Sequence, residues 1–258
     1  MKTLLEIISY REMIYSLVKQ ELRGKYKGSV LGFIWTFLNP LFQLIVYTFV
    51  FSIIMKSSID DYYLFLFVAF IPWLFFSNSV SGGARAVMDK KELVKKVYFP
   101  RQVLPISYVT SAFVNMILSF VIVFGALLFS GRGIEPLLLC YLPMVMLIEY
   151  ILALGITMLT CALTVYFRDL EYILAIITMA WMYLTPIMYS SDMVPEEYIG
   201  IFDLNPVTPI IEGYRNILYY QTPPDWMRMF ESFLVAVVFL GIGNLVFGLI
   251  QKKFAEEL

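Results

Sequence analysis

Residues 28–55 read GSVLGFIWTFLNPLFQLIVYTFVFSIIM and contain no charged side chain. The hydrocarbon layer of a bilayer is about 30 Å thick, and a helix of about 20 residues crosses it. This stretch is long enough, so we expect a membrane-spanning helix over Gly28–Met55. Five further stretches are comparably apolar and predict spans at Tyr62–Gly82, Val103–Phe129, Leu137–Phe167, Tyr172–Tyr189 and Ser232–Gln251.

The composition of the whole chain agrees with this reading. Of 258 residues, 60% are hydrophobic and 15% are charged, and the mean hydropathy is +0.78. A soluble domain usually carries about 25% charged residues. The difference excludes a soluble enzyme, a secreted disulfide domain, a nucleic-acid-binding protein and a disordered chain. We therefore predict an all-α integral membrane protein with six transmembrane helices.

The basic residues are distributed unevenly between the two sides of the membrane. With six spans both termini lie on one side, and the segments on that side hold 15 of the 19 Lys and Arg residues. Short loops rich in Lys and Arg stay cytoplasmic. We therefore predict a multi-pass protein whose N and C termini are both cytoplasmic.

Three segments lie outside the predicted spans. Residues 1–27 place apolar and charged side chains at near-helical spacing, which favours an amphipathic helix at the cytoplasmic interface over a frayed, solvated arm. The external segment, about 190–231, contains the apolar stretch Pro206–Tyr220, which is too short to cross and is typical of a re-entrant or interfacial helix. We place the transmembrane domain at 28–251 and a cytoplasmic tail at 252–258.

Polar side chains form stripes on several predicted spans. In span 1, Thr36, Asn39, Gln43 and Tyr47 share one face, near Phe33 and Trp35. In span 3, Ser107, Ser111, Asn115 and Ser119 recur at every fourth residue. Such stripes either hold helices together or line a polar path. For Ser and Thr we favour the first role; for Asn39 and Gln43, amides beside aromatic rings, a sugar pathway is as good an interpretation.

Two further features point to chemistry inside the membrane. Span 5 carries a second set of aromatic residues beside a threonine, and we call it the span 5 group: Trp181, Tyr183, Thr185 and Tyr189. Tyr189, at the outer end, also fits the belt of aromatic residues at a membrane interface. Glu149 lies alone in the middle of span 4, where it either serves function or bonds a neighbouring helix.

The long inside loop, Arg85–Arg101, is the strongest candidate for contact with another protein. Its lysines stand beside an apolar patch, which suits docking into a groove, although binding of anionic lipid headgroups is a simpler explanation. These lysines are Lys90, Lys91, Lys95 and Lys96.

Two kinds of catalytic motif are missing from the sequence. The chain has no G-x-x-x-x-G-K-[ST] phosphate loop and no His, so it lacks that route to ATP hydrolysis and all His-based sites.

Several motifs resemble those of the ABC-2 type polysaccharide-export permeases, in the same order along nearly the whole chain. The start of span 1 is similar in RGKYKGSVLGFIW, residues 23–35, and FLNPL, residues 37–41. The two cytoplasmic loops are similar in KKVYFPRQVLP, residues 95–105, and VYFRDL, residues 165–170. The end of span 5 and the external region are similar in TPIMY, residues 185–189, and LNPVTP, residues 204–209.

The resemblance implies the permease subunit of an ATP-driven exporter of cell-surface polysaccharide in the bacterial cytoplasmic membrane. It implies a homodimer that carries two copies of a separate ABC ATPase, which binds the ATP and Mg, so that this chain needs no cofactor or metal of its own. The implied substrate is a glycan or teichoic acid on an undecaprenyl pyrophosphate-type lipid. Spans 1 and 5 would border the conduit.

The resemblance also implies roles for particular residues. Lys25 and Lys27 could meet the pyrophosphate, although the positive-inside rule explains both without it. The loop lysines, with Arg101, Arg168 and Asp169, would couple the permease to the ATPase. Two alternatives stay open: an ABC-2 exporter of small hydrophobic compounds, and an intramembrane enzyme such as a lipid-linked sugar transferase. Nothing in the sequence predicts nucleic-acid binding.

Overall fold

The structure, a computed structural model, describes residues 7–24, 28–29 and 31–257. Within this part of the chain the regular elements are helices, and five are long and apolar enough to cross a membrane. Helices suit the hydrocarbon core of a membrane, where no water is present, because they satisfy their backbone hydrogen bonds internally. The five are α2 (Trp35–Ile54), α3 (Tyr62–Gly82), α5 (Val103–Ser130), α6 (Pro136–Thr164) and α10 (Trp226–Ile250). They are accompanied by the shorter helices α1 (Arg11–Gly24), α4 (Lys91–Lys96), α7 (Leu170–Tyr183), α8 (Ile199–Asp203), α9 (Val207–Arg215) and α11 (Phe254–Glu257).

The predicted fifth span is shorter than expected. Helix α7 has 14 residues, about 21 Å at 1.5 Å per residue, which is less than the hydrocarbon thickness. The predicted end at Tyr189 is wrong: the helix stops at Tyr183, just before Thr185-Pro186. Proline disfavours helical backbone at the preceding residue and offers no N–H to continue the ladder. Six full spans therefore stay a prediction.

Three other span boundaries differ from the prediction by three residues or more. Helix α6 ends at Thr164 rather than Phe167, ahead of the charged turn at Arg168. Helix α2 begins at Trp35 rather than Gly28, because Gly32 adopts a left-handed backbone with φ +48 and interrupts the approach to it. Helix α10 begins at Trp226 rather than Ser232, because the Asp225 side chain accepts hydrogen bonds from the N–H groups of the first turn. Helix α3 has the predicted bounds and continues through Pro72 without breaking.

The segment predicted to be external, about 190–231, supplies a helix that lies at the centre of the fold. Helix α9 continues as a π-helical turn, Asn216–Tyr220, and packs against α3, α6 and α10. Its Ile210, Ile211 and Tyr214 are fully buried. The apolar stretch Pro206–Tyr220, predicted to be too short to cross the membrane, thus forms a short helix that the longer helices enclose.

Close packing of α6 and α10 forms the most extensive helix contact. Gly155 and Gly243 meet there, and a Cβ at Gly155 would collide with the backbone of Leu240. Small residues permit such close approach, which favours helix association in a membrane. We call the segment Arg85–Arg101 the lysine loop. At the end of the bundle that carries it, a second apolar cluster joins Leu17 of α1 to Val94 and Phe99 of the loop.

Candidate functional site

A cavity of about 560 Å³ lies between α1, α2, α3 and α5. The span 1 stripe forms one wall, with Thr36, Asn39 and Gln43, as its spacing predicted. The facing wall comes from the polar stripe of α5 and from the last turn of α3, through Ser111, Asn115, Ser119 and Asn78. Two stripes that the sequence showed separately therefore meet across one polar space, which we call the amide cavity.

Few of these groups are paired with one another. Gln43 Nε2 donates to Asn39 Oδ1 at 3.2 Å, whereas the buried Thr36 Oγ1 has no partner in the described part of the chain. Ser111 and Ser119 donate to carbonyls of their own helix, each at 2.8 Å, which satisfies their donors without a ligand. The amides of Asn39, Gln43, Asn78 and Asn115 are therefore the groups left to interact with an occupant.

The other predicted residues of span 1 lie outside this cavity wall. Tyr47 packs edge-to-face on Phe70, with ring centroids 5.3 Å apart, and Trp35 Nε1 donates to Ser29 Oγ at 3.0 Å. The side chain of Phe33, and Lys25 and Lys27 altogether, lie outside the described residues.

The span 5 group is engaged in internal contacts. Trp181 Nε1 donates to Asn205 Oδ1 at 2.9 Å, and Asn205 Nδ2 donates to Thr185 Oγ1 at 2.9 Å. Trp181 also packs edge-to-face on Phe76, with centroids 5.1 Å apart. Asn205 thus joins the end of α7 to the start of α9, a role the sequence analysis missed, although the Asn-Pro pair in LNPVTP was visible.

The two tyrosines of the span 5 group have different surroundings. The Tyr189 hydroxyl donates to the backbone carbonyl of Tyr183 at 2.7 Å and closes the non-helical turn after α7. The Tyr183 side chain is exposed. Of the four predicted residues in this group, Tyr183 is therefore the one whose ring faces the surroundings of the subunit.

Arg215 holds the chain that follows α7. It is buried, donates to the carbonyls of Pro186 and Ile187, and lies over the ring of Phe65, 3.6 Å from its centroid. These contacts supply donors to carbonyls that the helix no longer satisfies. This role of Arg215 was not predicted from the sequence, although one Arg inside the apolar stretch Pro206–Tyr220 is a signal of such use.

Glu149 bonds a neighbouring helix. Its Oε2 accepts a hydrogen bond of 2.6 Å from the Tyr214 hydroxyl of α9, and both side chains are fully buried. The sequence left two roles open for Glu149, a functional one and a bond to a neighbouring helix, and the structure contains the bond. Glu149 Oε1 has no partner among the described residues.

The lysine loop is anchored on one side and exposed on the other. Val94 and Phe99 are buried, whereas Lys91, Lys95 and Lys96 are exposed and Tyr98 is 89% exposed. This places positive charge around a protruding aromatic ring, next to the buried side chains of Val94 and Phe99. The predicted Arg168 and Asp169 are exposed in the neighbouring turn.

The remaining predicted coupling residues make internal bonds. Lys90 Nζ pairs with Glu21 Oε1 of α1 at 3.0 Å, and Arg101 donates to the backbone carbonyl of Gln251 at the end of α10. The lysine loop is thereby tied to both terminal segments of the chain.

Arg85 connects the lysine loop with the start of α7. Its guanidinium pairs with Asp89 at 3.3 Å and with Glu171 at 2.8 Å. The Asp89 and Glu171 carboxylates raise the pKa of the Arg85 guanidinium. Arg85 thereby joins the loop at 85–101 to the start of α7. Spacing along the sequence does not reveal this pair, because Glu171 lies 86 residues away.

Comparison with known proteins places these features in a family. Residues 12–219 match the family described as ABC-2 type transporter. Over 98% of both chains the protein is 35% identical to the "O-antigen export system permease protein RfbA" of Myxococcus xanthus. It is 28% identical to the Klebsiella pneumoniae protein of the same name, over 96% of this chain and 95% of that one. It is 22% identical to the "Polysialic acid transport protein KpsM" of Escherichia coli, over 89% and 90%.

Proposed function

The chain belongs to the ABC-2 type transporter family, and we propose from this that it is the permease subunit of an ABC exporter of cell-surface polysaccharide. The observation that carries the proposal is the match, over nearly the full length of both chains, to permeases named for O-antigen export. The polar amide cavity within an apolar bundle supports a hydrophilic cargo.

We infer that the cargo is attached to a polyprenyl pyrophosphate-type lipid, as in the resemblance stated above. Lys25 and Lys27 remain our candidates for the pyrophosphate. An O-antigen type of glycan is favoured over teichoic acid, because the relatives are named for O-antigen and polysialic acid. The pathway would use the span 1 stripe and the exposed Tyr183, and a second copy of this chain would complete it.

The energy would come from a separate ABC ATPase that binds ATP and Mg. We propose that two copies dock on the surface formed by Lys91, Lys95, Lys96, Tyr98 and Arg168, whose side chains are exposed. Asp169, Lys90 and Arg101 would support that surface. The assembly would lie in the bacterial cytoplasmic membrane with both termini inside.

The topology that accompanies this function has six crossings. We propose that α7 and the extended chain up to Tyr189 together form the fifth, with Arg215 satisfying the carbonyls of the non-helical part. Helix α9 would then be the re-entrant element. A cysteine placed in the tail at 252–258 should react with an impermeant thiol reagent only after the membrane is opened.

The test is co-purification followed by an ATPase assay. The chain, expressed with the ATPase of its own transport system, should retain that ATPase, and a polyprenyl-linked glycan should stimulate hydrolysis. Reversing the exposed charges, Lys91→Glu, Lys95→Glu and Lys96→Glu together, should release the ATPase. Lys90 is left unchanged because its pair with Glu21 ties the loop to α1. The pair of Lys96 with Glu92 stays within α4, and both of its side chains are exposed.

The matched control reverses two exposed lysines on the same side, Lys252→Glu and Lys253→Glu, and should leave binding intact. Retention of the ATPase after the triple reversal would refute the docking surface. Stimulation by small amphiphiles and not by lipid-linked glycan would favour the alternative, an exporter of small hydrophobic compounds.

A further inference from the structure

An open groove of about 830 Å³ lies between helix α1 and helix α5, separate from the amide cavity. Helix α1 contributes Ile14, Val18 and Leu22, which recur at every fourth residue and therefore share one face of the helix. The volume falls within the range of small-ligand pockets, about 300–1,000 Å³. One wall of the groove is therefore a continuous apolar strip, which suits a hydrocarbon chain.

The opposite wall belongs to a helix that is apolar enough to cross a membrane. Thr110 and Val114 of α5 line the groove, about 10 and 16 Å along that helix from Val103. The Thr110 hydroxyl donates to the Ile106 carbonyl at 2.7 Å and lies 2.8 Å from the Tyr150 hydroxyl. Thr110 is thus already hydrogen-bonded, and this wall also presents mainly apolar surface to an occupant.

A row of positive charges borders the apolar strip. Arg11, Lys19 and Arg23 line the groove with exposed side chains, and Tyr15 lies between the first two, with Lys19 Nζ 5.9 Å from its ring centroid. From Arg11 to Arg23 the row is about 18 Å long at 1.5 Å per residue. We call this site the basic groove. Glu12 lies 3.9 Å from Arg11, but both side chains are highly exposed, so the pair is weak.

The other two charges of the row lack a carboxylate partner among the described residues. The described lining of the groove includes no Asp or Glu. Glu21 of the same helix pairs with Lys90 of the lysine loop at 3.0 Å, and residues 22–59 of the sequence contain no acidic residue. Lys19 and Arg23 are therefore available to an anionic group from outside the chain.

Charge and apolar surface together identify the occupant. An anionic lipid carries a phosphate that pairs with Lys and Arg and an acyl chain that packs on apolar side chains. Basic residues beside a membrane attract anionic phospholipids in this way. The charges are spread along the helix rather than gathered at one point, which matches the headgroups of a leaflet better than one compact pyrophosphate.

We propose that the basic groove binds an anionic glycerophospholipid of the surrounding membrane. Its acyl chain lies between α1 and α5, and its phosphate lies beside Lys19 and Arg23. The lipid is a component of the bilayer and not the exported cargo, so the proposal goes beyond the export function and does not rest on it.

Photo-cross-linking in vesicles tests the proposal. The permease and its ATPase are reconstituted in phosphatidylcholine vesicles without polyprenyl lipid or glycan. The vesicles contain a small fraction of phosphatidylglycerol or of phosphatidylcholine that carries a diazirine on one acyl chain. Peptide mass spectrometry measures cross-linking to residues 11–24 and 110–114. Phosphatidylglycerol should give at least about fivefold more cross-linking there, the contribution of one basic residue beside an anionic lipid.

Matched variants separate a charge effect at the groove from a general one. Lys19→Gln/Arg23→Gln should lower the preference to below about twofold, because the remaining Arg11 lies beside Glu12. Lys19→Arg/Arg23→Lys keeps both charges and should keep the preference. The control Lys252→Gln/Lys253→Gln removes two exposed lysines elsewhere and should also keep it.

Equal cross-linking by the two lipids, or a preference that survives Lys19→Gln/Arg23→Gln, would overturn the proposal. Absence of cross-linking at the groove would overturn it too, as expected if a second copy of the chain covers this face. Undecaprenyl pyrophosphate that displaces the probe at a lower concentration than unlabelled phosphatidylglycerol would assign the groove to the cargo lipid instead. Because the vesicles contain no glycan, failure of the lipid site would leave the export function untouched, and failure of export would leave the lipid site standing.

Discussion

The hydrogen bond between Tyr214 and Glu149 makes a quantitative prediction about stability. The two atoms are 2.6 Å apart, both side chains are fully buried, and the second carboxyl oxygen of Glu149 has no partner among the described residues. Tyr214→Phe would leave the whole carboxyl group without a hydrogen bond while keeping the ring in place. A buried polar group that loses its partner costs about 1–3 kcal/mol.

The membrane setting narrows this range. Interhelical hydrogen bonds measured in membrane proteins average about 0.6 kcal/mol and reach about 1.7, because the unfolded chain in lipid also finds partners. Here Tyr214 is the only bond that the described residues give Glu149, so the higher end applies. We expect Tyr214→Phe to lower the free energy of unfolding by about 1.5 kcal/mol, near the top of that range.

A double-mutant cycle measures the bond itself. Glu149→Leu leaves the Tyr214 hydroxyl without an acceptor, whereas the double variant Glu149→Leu/Tyr214→Phe removes both polar groups. The double variant should therefore cost about 1–2 kcal/mol less than the sum of the single variants. Equilibrium unfolding in mixed detergent micelles, followed by far-UV circular dichroism, gives the three values.

The control is Tyr198→Phe, which removes the hydroxyl of an exposed tyrosine and should change stability by less than about 0.5 kcal/mol. Strictly additive costs for Glu149→Leu and Tyr214→Phe would show that the bond contributes nothing. That result would refute the assignment of Glu149 as the attachment of α9.

Three further predictions concern other contacts. Gly155→Leu should destabilise the protein by about 1–3 kcal/mol, because the new side chain must separate α6 from α10; unchanged unfolding would contradict the close crossing. Arg85→Glu should reduce glycan-stimulated ATPase activity and change stability by less than about 1 kcal/mol, because the pair is partly exposed. The exchange Arg85→Glu/Glu171→Arg should restore the activity, and failure of this rescue would argue against coupling through the pair. Trp181→Phe should cost about 1 kcal/mol through loss of the N–H bond to Asn205, and a loss of export without loss of stability would instead favour a pathway role for Trp181.

The sequence predicted the bounds of the second span and nearly those of the third, because charged loops frame them clearly. It misplaced the end of the fifth span because hydropathy counts Thr185 and Pro186 as part of an apolar run, whereas proline backbone geometry ends the helix earlier. It misplaced the start of α10 because the Asp225 cap lies outside the apolar stretch. Local backbone chemistry, rather than hydrophobicity, decided both boundaries.

The candidate site was predictable in part. The face shared by Thr36, Asn39 and Gln43 follows from helical spacing, and the structure places all three on one cavity wall. The opposing wall could not be found this way, because spacing along one helix does not identify its neighbour. The roles of Asn205 and Arg215 were hidden for the same reason, because their hydrogen-bond partners lie 20 to 29 residues away along the chain.

The sequence by itself determined that this chain enters a membrane, that it does so as helices, and to which family it belongs. Those properties follow from apolar length, from the need to satisfy backbone groups without water, and from motifs along the chain. Only the tertiary structure decided that the stripes of α2 and α5 face one cavity while the span 5 group packs against Asn205. In lipid the apolar side chains provide no hydrophobic drive between helices, so shape and hydrogen bonds choose the neighbours.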